Sequence, residues 1–110
     1  MSYNIVITEL FTKEIKPLAK KYKSLKEDLA HLLEDLAVNP SQGALIFKNC
    51  YKIRLAIKSK GRGKSGGARV ITFIQIKDEN VILLSIYDKS DKSTVTDAEL
   101  KHILNLAGLL

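Results

Sequence analysis

A single cysteine, Cys50, in 110 residues excludes an internal disulfide framework and fits a reducing compartment. The two histidines, His31 and His102, lie far apart and have no local ligand spacing around them, so no metal and no cofactor is expected. No apolar run approaches the length of a membrane span, and the opening MSYNIVITEL lacks a basic segment followed by an apolar stretch and a cleavage site. The expectation is a cytoplasmic chain with no export signal and no membrane partner. Glycine is scarce too: there are six, and four of them fall within KSKGRGKSGGAR, positions 58–69.

That cluster contains Gly63-Lys64-Ser65, which is how a nucleotide-binding P-loop ends. The P-loop pattern also needs a glycine five residues before Gly63 at the exit of a strand, and a helix directly afterwards. Lys58 stands where the glycine belongs. The cluster leads instead into Ala68-Arg69-Val70-Ile71-Thr72-Phe73-Ile74-Gln75-Ile76, with the β-branched and aromatic content of a strand. Without a helix N-terminus aimed at the phosphates, the main physical reason for holding a nucleotide is gone. The segment reads as a loop between two strands.

Charge is the informative quantity. The net is +6, and residues 47–70 hold eight basic side chains (Lys48, Lys52, Arg54, Lys58, Lys60, Arg62, Lys64 and Arg69) with no acid among them. The rest of the chain has ten basic residues against twelve acidic ones. A block of this kind is the footprint of a polyanion site, and otherwise a hairpin tip kept soluble by charge.

The chain is long enough for a single domain over 1–110, and its 45% apolar content supports one core. Residues 3–8 read as a first strand. Phe11, Ile15, Leu18 and Tyr22 recur at helical spacing over 11–23, with Pro17 awkward inside. Ser24 and Glu27 have the form of a capping box ahead of Leu25, Leu29, Leu32, Leu33 and Leu36, and Asn39-Pro40 ends that second helix. Strands are predicted at 50–57, 68–76 and 81–87, the last two joined by the polar turn 77–80. A second capping box, Thr96 with Glu99, precedes a helix through Leu100, Ile103, Leu104 and Ala107, stopped by Gly108. The predicted class is α+β in the order β-α-α-β-β-β-α, a mainly antiparallel sheet with a helical hairpin laid on one face.

In Cys50-Tyr51-Lys52-Ile53-Arg54-Leu55 the side chains alternate, so Lys52 and Arg54 share one face while Tyr51, Ile53 and Leu55 share the other. The hairpin needs the apolar face, which turns both cations the opposite way. Arg69 opens the next strand and can join them. The plainer reading is an ordinary solvent face of a half-buried sheet.

These residues, with Gly67-Ala68-Arg69-Val70-Ile71, Leu84-Ser85-Ile86-Tyr87-Asp88-Lys89-Ser90 and the two leading helices, resemble the RelE/HigB group of bacterial toxins over nearly the whole chain. The resemblance implies a basic concave face that cuts messenger RNA, usually on the ribosome and without metal. It also implies a cognate antitoxin, of helix-turn-helix type, that blocks this face. By position, Lys52 and Arg54 match the pair flanking the scissile phosphate, Arg69 the arginine after the hairpin turn, and Lys89 a basic residue near the leaving group. Where the best-studied members carry a tyrosine shortly before the final helix, this chain has Thr96, and Tyr87 fits the Tyr-x-Lys arrangement of other members.

Cleavage by a 2′-hydroxyl needs a proton acceptor, a proton donor and cations for the developing charge. Lys52, crowded by Arg54 and Arg69, is the candidate base, since neighbouring cations favour the neutral amine. The two arginines are the candidate stabilisers, and Tyr87 or Lys89 the candidate donor. Lys48, Lys58, Lys60, Arg62, Lys64 and Lys92 are the expected phosphate contacts, with the long loop 58–67 as an added grip on RNA. Two other readings stand beside this one: a ParE-like toxin that poisons gyrase on the same fold, and a non-catalytic RNA-binding module.

Overall fold

Thr8 has an extended backbone, and its hydroxyl accepts the Phe11 amide at 3.2 Å, so it caps a helix that begins two residues earlier than the hydrophobic spacing suggests. In this computed structural model, which describes residues 2–61, 63 and 66–110, the order is β1 (Asn4–Ile7), α1 (Glu9–Lys21), α2 (Leu25–Val38), β2 (Ala44–Phe47), β3 (Cys50–Leu55), β4 (Ala68–Gln75), β5 (Asn80–Asp88) and α3 (Asp97–Leu106). α1 runs through Pro17, which stands on its exposed face and leaves the Lys13 carbonyl without its helical donor. Among the described residues, no helix is long and apolar enough to cross a membrane.

The two capping boxes fare differently. Thr96 and Glu99 form theirs, each accepting the other's backbone amide. Ser24 and Glu27 do not: Ser24 has helical backbone angles, and its hydroxyl donates to the Asp28 carboxylate at 2.7 Å. Asp28 also accepts the Lys58 amide at 3.0 Å, while Ser24 Oγ accepts the Ser59 amide at 2.8 Å. The polar start of α2 is thus occupied in holding the segment after β3, a short 3₁₀ turn at Lys58–Lys60.

The sheet has five strands in the order β1-β5-β4-β3-β2. β1 lies parallel to β5, and the other pairings are antiparallel. β2 is an addition to the expected order. It folds back on β3 through Lys48 and Asn49, the latter at φ 61°, a left-handed conformation that asparagine tolerates better than most residues.

Both faces of the sheet are covered. The α1–α2 hairpin buries Phe11, Leu18, Leu25, Leu32 and Leu36 against Ile53, Leu55, Val70, Val81, Leu83 and Ile86. On the other face, α3 buries Leu100, Ile103 and Leu104 against Cys50, Ile71, Ile82, Leu84 and Tyr87. This explains why β5 is a near-continuous apolar run rather than an alternating one. The basic face foreseen from β3 is therefore only the part of the sheet that α3 leaves open.

Candidate active site

β3 and β4 pair with Arg54 opposite Arg69, and β4 and β5 pair with Arg69 opposite Tyr87. Directly opposed residues share a face and bring their Cβ atoms to about 5 Å, so Arg54, Arg69 and Tyr87 form one row across three strands. Lys52 sits two residues along β3 on the same face, opposite Ile71. The four residues matched by resemblance on the strands thus converge. Arg54 is exposed and Lys52 half-buried, whereas Arg69 is only 4% exposed and Tyr87 8%. The Arg69 guanidinium donates to the Ala68 carbonyl oxygen at 3.2 Å, and an anion seated against the row would be offered cations from two neighbouring strands.

Tyr87 lies beneath the segment joining β5 to α3. Burial pushes its phenol above the ordinary value, and so does Glu99, while Arg69 acts in the opposite sense. Its hydroxyl is buried and makes no hydrogen bond among the described residues. The Lys92 ammonium sits over its ring, 5.5 Å from the centroid, and is ion-paired with Glu99. The hydrogen bond from Lys92 and the Thr96 amide hold the Glu99 carboxyl down at about 2. Thr96 itself is occupied as the α3 cap, so the hydroxyl at that position has a structural task. Lys89 follows β5 directly; its amide donates to Gly67 O at 3.0 Å and its ammonium to Ser93 O at 2.9 Å.

The expected phosphate contacts divide. Lys58 is exposed at the loop base and Lys48 is exposed in the β2–β3 turn, at the opposite end of β3 from Arg54. Arg62 and Lys64 lie outside the described residues. Lys60 points inward: its ammonium donates to Asp88 at 2.7 Å and to Ser90 Oγ at 2.6 Å, and it lies 5.4 Å from the centre of the Tyr22 ring. The Asp88 side chain is fully buried and also accepts Tyr22 OH at 2.5 Å and the Ser90 amide at 2.9 Å. Burial alone would raise this carboxyl, but the bonds from Lys60, Tyr22 and Ser90 outweigh it and hold it well below the usual range.

Asp88 and Tyr22 were given no site role from the sequence, where Tyr22 stood only in a helical spacing and Asp88 only within a matched stretch. The available signal was an acid directly after Tyr87, in a chain whose neighbouring block is wholly basic. Gly67 completes the local frame, because a Cβ there would lie 2.0 Å from the Leu55 carbonyl oxygen. Only glycine lets the loop re-enter β4 so close to β3. A groove of about 850 Å³ lies at the edge of β3, between Lys52, Arg54 and Leu55 and the α2 residues His31, Leu32 and Asp35; Arg69 and Tyr87 do not line it.

The family model for the RelE toxin of the RelE / RelB toxin-antitoxin system matches residues 8–110. Among solved structures, the isolated E. coli RelE toxin is similar at 17% identity and a TM-score of 0.57, over 94% of this chain and 98% of that one. A doubly substituted mutant of E. coli RelE in the free state is similar at 19% identity and a TM-score of 0.59, over 84% of this chain and 90% of that one. The intact E. coli RelBE toxin–antitoxin complex contains a chain similar at 22% identity and a TM-score of 0.50, over 78% of this chain and 95% of that one. The chain belongs to the RelE toxin family.

Proposed function

We propose that this RelE-family chain is the toxin of a toxin–antitoxin pair and an endoribonuclease that cuts messenger RNA on the ribosome. The reading is carried by the registered row Arg54–Arg69–Tyr87 with Lys52 two residues along β3. Lys52 takes the proton of the ribose 2′-hydroxyl as it attacks the adjoining phosphate. Arg54 approaches that phosphate from the open side of the sheet and Arg69 from within it, and together they stabilise the charge of the pentavalent state. This scheme draws its positive charge from two guanidinium groups and needs no metal ion.

Tyr87 gives its proton to the leaving 5′ oxygen. Burial makes this phenol a weaker acid and Arg69 acts against that shift, so the guanidinium opposite it is what favours release of the proton. Lys89, next to it past β5, is the alternative donor. Lys48 and Lys58 hold flanking phosphates, and the sequence adds Arg62 and Lys64 to them. Lys60 and Lys92 are bound to Asp88 and Glu99 and serve the fold first. The partner is a small antitoxin, of helix-turn-helix type, that covers the row; the E. coli complex supplies the precedent for a toxin of this fold held by its antitoxin.

The test is single-turnover cleavage of a messenger on programmed ribosomes, with the cut ends identified. A 2′,3′-cyclic phosphate, or the 3′-phosphate it hydrolyses to, and a free 5′-hydroxyl are expected. A 5′-phosphate product rejects the mechanism. Tight RNA binding with no product leaves the non-catalytic module, and inhibited gyrase with intact RNA leaves the ParE-like toxin.

A further inference from the structure

Beyond its first turn, where Glu9 is exposed, the outward face of α1 is basic. Between positions 10 and 26 the chain has six lysines and one acid, Glu14. Glu14 is turned inward, accepting the Ser85 hydroxyl at 2.7 Å and the Ile86 amide at 3.3 Å. Lys21 leans toward Asp88, at 3.9 Å. That leaves Lys13, Lys16 and Lys20 exposed on one face at spacings of three and four, and none of them forms an ion pair among the described residues. Like charges at these spacings repel, and Glu9, four residues before Lys13, offsets this only at one end of the row. A row of phosphates relieves it. At a rise of about 1.5 Å per residue the three lysines span about 10 Å of a rigid rod.

α1 packs on the opposite face of the sheet from Arg54, Arg69 and Tyr87. The molecule therefore has two cationic surfaces back to back. We infer that the Lys13–Lys16–Lys20 stripe is a second RNA site, one that grips the phosphate backbone of double-helical RNA while the row on the strands takes a single strand. The stripe offers no exposed aromatic ring on which a free base could stack, since Phe11 is buried and Tyr22 is covered by Lys21 and Lys60. It consists of point charges on a straight element, and double-helical RNA is recognised by shape and phosphate contacts. Pro17 is the apolar residue set among these lysines on α1, and a single ring offers little to insert into a lipid surface. The inference holds whether or not the chain cleaves RNA.

The test measures binding of a 20-base-pair RNA duplex between 50 and 200 mM salt. The variant is Lys13→Gln/Lys16→Gln/Lys20→Gln, which preserves helix propensity. Each lost phosphate contact lowers the logarithmic slope by about 0.9, so three of them make the wild-type affinity fall about 40-fold more than the variant's over that salt range. Affinity for a short single-stranded RNA should be retained, and the matching Lys→Arg triple should restore the slope. A control that removes the same charge from scattered exposed sites, Lys26→Gln/Lys77→Gln/Lys101→Gln, should change the slope far less. An equal change in that control, an unchanged slope in the α1 variant, or tighter binding of the wild type to anionic vesicles than to the duplex would each overturn the assignment.

Discussion

Asp88→Asn removes one negative charge from a side chain with no exposure to solvent, and leaves the Lys60 ammonium, itself 9% exposed, without its counter-ion. Breaking a buried pair in this way costs about 3–5 kcal/mol, because the remaining charge stays desolvated. Unfolding entropy near 2.1 cal/mol/K per residue gives about 230 cal/mol/K for 110 residues, so the melting temperature should fall by about 13–22 °C. Lys60→Met should cost less, about 1–3 kcal/mol, since Asp88 keeps Tyr22 and the Ser90 amide as donors. The double variant should be more stable than the sum of the two singles predicts, by about 0.5–3 kcal/mol.

Acid titration gives an independent check on the same network. The folded-state carboxyl of Asp88 lies below its ordinary value of 3.8, so its contribution is complete above about pH 4 and is lost as the pH falls from there toward the folded value. Wild-type stability should drop in that range, and Asp88→Asn should flatten the drop. Calorimetry or denaturant titration reads both effects. A fall of less than about 4 °C in Asp88→Asn, or an acid profile unchanged from wild type, would refute the network's role. Because Lys60 is already neutralised internally, Lys60→Met should also leave the salt slope of RNA binding unaltered at temperatures where it is folded. Lys58→Gln should flatten that slope by about 0.7–0.9.

Lys52→Ala or Arg54→Ala should abolish growth arrest while moving stability by only about 0.5 kcal/mol, and Arg69→Ala, at a buried site, should cost more in thermal melting; growth arrest that survives the folded triple variant removes the row from the mechanism. Tyr87→Phe should slow single-turnover cleavage by about 10²–10⁴-fold with RNA still bound. It should leave the melting temperature unchanged or slightly higher, since the lost hydroxyl is buried without a hydrogen bond. A cleavage rate equal to wild type makes the ring structural. Glu14→Ala should cost about 1–3 kcal/mol by leaving Ser85 and the Ile86 amide unpaired, and should speed amide exchange at Ile86; unchanged exchange there argues that this part of β5 holds itself.

The helices and four of the strands were legible because their signals are local. Leucines at helical spacing marked α2, and Thr96 with Glu99 marked the start of α3. β2 was missed because four residues and a two-residue turn leave almost no pattern, and only Asn49 hinted at a reversal. The Ser24 box failed for a tertiary reason. Asp28 and Ser59 offered that hydroxyl better partners than the helix end did. That Lys52, Arg54 and Arg69 share a face was legible because alternation along β3 and the register with β4 bring them together. Lys60 looked like its basic neighbours in sequence, and nothing local reveals that its ammonium turns toward an acid 28 residues away.

Tyr87 is the residue whose placement depends most on an irregularity. Simple alternation puts Val81, Leu83 and Tyr87 on one face of β5. Val81 and Leu83 do face the helical hairpin, but Ile86 joins them there, while Tyr87 lies with Ile82 and Leu84 on the other side. The phase changes where Ile71 pairs with Ser85 and Thr72 pairs with Leu83, so that one step along β4 matches two along β5. This bulge re-aims everything beyond it. It brings Tyr87 beside Arg69 and turns Asp88 inward to Tyr22 and Lys60. Glu14 of α1 binds Ser85 and Ile86 at that point, so the hairpin that builds the core also fixes the phase of the strand. Asp88 then locks the end of β5 from the hairpin side, one residue after Tyr87. A shift of a single residue would exchange the two side chains, leaving a carboxylate against Arg69 and a phenol against Lys60. The proposed chemistry and the stability of the loop thus rest on the same inserted residue.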